Sequence, residues 1–102
     1  MGYSAIDSVI QAWVEKHRFT LFDRIDGHTE SFRSVYLSSS EGECFQIWID
    51  EPKAGNVTVH AADVETHNNE QQLRYDWSVP VDELRSALEE AVVQVRNWMA
   101  RK

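Results

Sequence analysis

The stretch that decides the fold is Cys44-Phe45-Gln46-Ile47-Trp48-Ile49-Asp50-Glu51-Pro52-Lys53-Ala54-Gly55-Asn56-Val57-Thr58-Val59-His60. Phe45, Ile47 and Ile49 alternate with Gln46, Trp48 and Asp50, and Val57 and Val59 alternate with Thr58 and His60. Period two in β-branched and aromatic residues predicts strands. Between the two runs lie Pro52, Gly55 and Asn56, which are turn residues. The gap is too short for a crossover helix, so the two strands run antiparallel.

The same pattern extends outward. Phe19–Asp23, Phe32–Ser38, Val57–Thr66 and Leu73–Trp77 read as further strands, separated by Asp26-Gly27, by the Ser38–Gly42 loop and by Asn68-Asn69. The stretch at 19–23 is the weakest, so the meander has four to five strands.

At both ends the period changes to that of a helix. Ile6, Val9, Ile10, Trp13, Val14 and His17 fall at spacings of three and four. Ser4 and Asp7 have capping-box spacing, and Lys16, His17 and Arg18 suit the C-terminal end of the dipole. Val81, Leu84, Leu88, Ala91, Val92, Val95 and Met99 form a second stripe, with Pro80 in the first turn and Arg85 placed to pair with Glu89. The expectation is one α+β domain over residues 1–102, of order α-β-β-β-β-β-α. Its antiparallel sheet should carry the N- and C-terminal helices on one face.

Parity then assigns the sheet faces. Val35, Leu37, Phe45, Ile47, Ile49, Val57, Val59, Leu73, Tyr75 and Trp77 should face the helices. Ser34, Tyr36, Gln46, Trp48, Thr58, His60, Arg74 and Asp76 should face away, with Cys44 and Asp50 at strand ends. A sheet face left to water has no need of a Trp, and aromatic residues are enriched at interfaces. Tyr36, Trp48, Gln46, His60 and Arg74 are therefore the candidate partner-binding residues.

The chain has 17 acids against 10 Lys and Arg, a net charge of −7. Residues 1–18 and 71–102 each balance to zero, whereas residues 19–70 hold ten acids against Arg24, Arg33 and Lys53. This balance argues against phosphate backbones and anionic membranes as partners. It suits a basic protein, steered by the loop acids Asp23, Asp26, Glu30, Asp50 and Glu51.

Catalytic and metal chemistry find little footing. Cys44 is the one cysteine, too few for a disulfide or a zinc framework. It could pair only with His60, with no third group to orient a base. The loop acids do not match an EF-hand, and His60, Asp63, Glu65 and His67 fall on different strand faces. No Gly-rich phosphate loop, signal-like segment or apolar span is present, so the expected protein is cytoplasmic, without cofactor or metal, and not an enzyme.

In size, acidity and element order the chain resembles three groups of small bacterial or phage proteins: toxin-immunity proteins, type III secretion chaperones and inhibitors that imitate nucleic acid. The secretion chaperones place a helix between their third and fourth strands, and Asp50 to Val57 leaves no room for one. The other two comparisons carry no motif. The expected function is non-enzymatic binding of another protein, a basic one or a second copy through the open sheet face. The alternative is a small-molecule site between sheet and helix, touched by Trp13, Tyr75, Trp77 or Trp98.

Overall fold

The computed structural model describes residues 2–24, 31–40, 42–64 and 73–100. A 3-10 turn, Gly2–Ala5, leads into helix α1, Asp7–His17. Four antiparallel strands follow in one open sheet: β2 Ser31–Ser38, β3 Cys44–Ile49, β4 Asn56–Asp63 and β5 Arg74–Pro80. A three-residue strand β1, Phe22–Arg24, pairs with β2 in irregular register, so the order is β1-β2-β3-β4-β5. A second 3-10 turn, Val81–Glu83, opens helix α2, Leu84–Met99. None of the described helices is long and apolar enough to cross a membrane.

The register makes the two faces explicit. Val35, Ile47, Ala61 and Tyr75 stand side by side across four strands, as do Ile49, Val59 and Trp77 across three. Val35, Phe45, Ile47, Ile49, Val57 and Val59 are closed to solvent, in one cluster with Ile6, Ile10, Trp13 and Val14 of the N-terminal segment and Leu84, Leu88, Ala91, Val92 and Val95 of α2. Burying each large aliphatic side chain is worth about 1.5–3 kcal/mol, and this cluster is the main source of stability.

Two local expectations are corrected. No capping box starts α1, which has Ile6 at its N-cap and no side-chain bond there. Tertiary anchoring explains the difference: the Tyr3 hydroxyl donates to the Ile49 carbonyl at 2.9 Å, and this holds the preceding turn against the sheet. Asp7 instead accepts two bonds from Arg33, at 2.8 and 3.1 Å. Pro80 ends β5 with an extended ψ of 150°, and the Val81 N–H donates to the Gly55 carbonyl, so helix geometry begins only after it. Tyr75 lies in the inner-face row yet remains 51% exposed, because it stands on an edge strand.

Candidate functional site

Two cross-strand rows build the outer face. Ser34, Trp48, His60 and Asp76 form one, and Tyr36, Gln46, Ala62 and Arg74 form the next. All five candidate partner-binding residues therefore lie in two adjacent rows. Neighbours directly opposite on antiparallel strands have Cβ atoms about 5 Å apart, close enough for direct contact.

His60 is the hub. Its Nδ1 lies 2.6 Å from Asp76 Oδ1, and its Nε2 lies 2.7 Å from Asp50 Oδ2. A carboxylate only accepts, so a ring protonated on both nitrogens donates to both partners. The Trp48 ring stacks on the imidazole at 4.8 Å with 16° between the planes. The Arg74 guanidinium lies 5.4 Å from the Trp48 centroid, in cation–π range, and its Nε donates to Asp76 at 3.3 Å. Below this, Gln46 Nε2 donates to the hydroxyl of fully buried Ser34 at 2.9 Å. Ala62, on the same face, is only 4% exposed among longer neighbours. Tyr36 is 46% exposed.

Arg74 and the His60 ring thus face two carboxylates, Asp50 and Asp76. Partial burial works to raise the Asp76 carboxyl, but the hydrogen bond from His60 and the nearby Arg74 charge outweigh it. The group is held below its ordinary value.

Of the acidic loop residues, Asp50 and Glu51 are exposed just after β3. Asp26 and Glu30 lie outside the described residues, as does the side chain of Asp23. Among the described residues no group of three His, Cys, Asp or Glu is placed to hold a metal ion. Cys44 stands opposite Ser38, whereas His60 stands opposite Trp48, four positions along β3, so the two are not cross-strand neighbours. The tryptophans considered for a sheet–helix pocket separate. Trp13 is 3% exposed in the core with its indole Nε1 unpaired, and Trp98 stacks on Phe45 at 5.8 Å. Tyr75 and Trp77 do line a groove, against Glu89, Glu90 and Val93 of α2.

A second polar cluster escaped the sequence reading. Glu89 meets His17 Nε2 with both oxygens, at 3.0 and 3.1 Å, and Lys16 Nζ at 3.3 Å. Partial burial pushes the Glu89 carboxyl up, but the bonds from His17 and Lys16 hold it below its ordinary value. The pairing that i,i+4 spacing suggested, with Arg85, gives way to a link between the two helices. His17, on the apolar stripe of α1, was the available signal.

No family model, curated protein or solved structure matches the chain.

Proposed function

We propose that this chain is a non-enzymatic interaction domain that docks another protein on its outer sheet face. Trp48 and Tyr36 act as anchors, with Gln46, His60 and Arg74 around them. One observation supports this most directly: Trp48 is held flat against His60, which is itself fixed at both nitrogens by carboxylates. An aromatic group ordered before binding loses little entropy when a partner covers it, which favours affinity. Aromatic and arginine side chains are the commonest hot-spot residues.

The reading takes residues 1–102 as one cytoplasmic α+β domain of order α-β-β-β-β-β-α, with both helices over one sheet face. Acids of residues 19–70, Asp50 and Glu51 among them, speed the approach of a basic partner.

Photo-crosslinking tests it. A benzophenone amino acid at Tyr36, in the native host, is expected to give one adduct of defined mass. Trp48→Ala should deplete that adduct at least about tenfold, the loss of roughly 1.4 kcal/mol. An adduct consisting of two copies of the chain would identify the face as a homodimer interface. An adduct indifferent to Trp48→Ala, with the fold intact by circular dichroism, would remove Trp48 as anchor.

A further inference from the structure

Strand β5 forms one edge of the sheet. Its backbone orientation follows from two bonds that bracket it. The Leu73 carbonyl accepts from the Asp63 N–H at 3.0 Å, and the Val81 N–H donates to the Gly55 carbonyl at 3.0 Å. Antiparallel alternation then turns the backbone groups of Leu73, Tyr75, Trp77 and Val79 toward β4. It leaves those of Arg74, Asp76 and Ser78 aimed outward. Among the described residues, no strand pairs with that edge.

Proteins usually blunt such an edge or cover it. Here apolar surface lies beside it: Tyr75 is 51% exposed with its ring 4.7 Å from that of Trp77, and Val93 of α2 is 56% exposed. Between strand and helix runs a groove of about 300 Å³, lined by these three together with Glu89, Glu90, Gln94 and Asn97. Its charged lining is acidic. Glu89 is held by Lys16 and His17, and Glu90 has no ion pair among the described residues.

We propose that this groove docks an extended basic segment of a partner protein, which adds to β5 as a further strand. Main-chain bonds to Arg74, Asp76 and Ser78 supply the ladder, which stops at Pro80 because Pro has no N–H to donate. Alternate side chains of the segment lie over Tyr75, Trp77 and Val93, where a cation meets both aromatic faces and Glu90. The net charge of −7 favours the approach of such a segment over an acidic one. The groove lies on the helix side of the sheet; Arg74 and Asp76, whose side chains belong to the Trp48 face, contribute only backbone groups to the ladder.

The probe is a short capped peptide of alternating lysine and valine, titrated into the isotope-labelled full chain and followed by NMR. Saturable shifts are expected at the amides of Arg74, Asp76, Ser78 and Val93. N-methylation of alternate peptide amides, or the exposed substitution Val93→Lys, should each weaken binding at least about tenfold. Trp48→Ala should leave it unchanged. Equal binding by the N-methylated peptide, or by a glutamate–valine peptide, would overturn the proposal. So would loss of binding in Trp48→Ala but not in Val93→Lys, which would place the peptide on the outer face. A chain that runs as a dimer and ignores the peptide would assign the edge to a second copy instead.

Discussion

His60 shows how far a single residue's role depends on register. Strand parity puts it on the same face as Trp48, Arg74 and Asp76, and that much is legible in the alternation of β3 and β4. That it stands directly opposite Trp48 and Asp76 depends on the pairing of three strands, which alternation alone leaves open. Asp50 reaches it from beyond the end of β3, through a side-chain bond that no spacing rule encodes. Two carboxylates held below their ordinary values, Asp76 and Glu89, tie these contacts to pH. A depressed folded-state value gives stability that is complete above the unfolded-state value and is lost as pH falls through the folded one. The loss is therefore expected below about pH 4, with the full contribution present above about pH 5. Urea midpoints measured across that range should fall less steeply in the double variant Asp76→Asn/Glu89→Gln than in the parent. An identical acid limb would mean that other carboxylates govern it.

Among the elements, the hairpin between β3 and β4 has a turn whose residue choice departs from its geometry. Lys53 and Asn56 exchange N–H···O bonds at 2.8 and 2.9 Å around Ala54 and Gly55, whose φ angles are 50° and 82°. Positive φ at both central positions is the pattern of a type I′ turn, which favours Asn-Gly. Gly55 meets the requirement, but Ala54 places a Cβ where left-handed backbone is strained. Ala54→Asn is expected to stabilise the protein by about 0.5–1 kcal/mol, read as a higher melting temperature. A drop would mean that the exposed Ala54 makes a contact worth more than its strain. The turn itself was legible from Pro52, Gly55 and Asn56, though its two-residue tip was not. Likewise the apolar stripe of α2 announces a buried helix face, and Leu84, Leu88 and Val95 occupy one. The stripe does not say which strands that face covers, so nothing in the pattern could distinguish Tyr75, exposed at an edge, from buried Ile47. The start of α1 was misplaced for a similar reason: the long-range bond from Tyr3 to Ile49 anchors the turn before it.

Over the whole molecule, charge and topology act together. The excess of seven negative charges arises within residues 19–70, whose self-repulsion opposes compaction. Raising salt from about 0.02 to about 0.3 M shortens the screening length from roughly 20 to 6 Å. The melting temperature is expected to rise by about 2–4 °C, corresponding to about 0.5 kcal/mol. A fall on adding salt would show that ion pairs such as Lys16–Glu89 outweigh the repulsion of the excess acids. The bridge from His17 to Glu89 spans 72 positions in sequence, whereas each strand from β2 to β4 pairs with its successor. The sheet can thus assemble from neighbouring hairpins, while its cover must come from both ends of the described chain. On the ribosome, α2 is made after every strand it covers. At about 5–20 residues per second, synthesis from the end of β4 to the end of α2 takes about 2–7 s. For that interval Ile47, Val57 and Val59 lack the helix that packs against β3 and β4, and the nascent chain has greatest need of a chaperone.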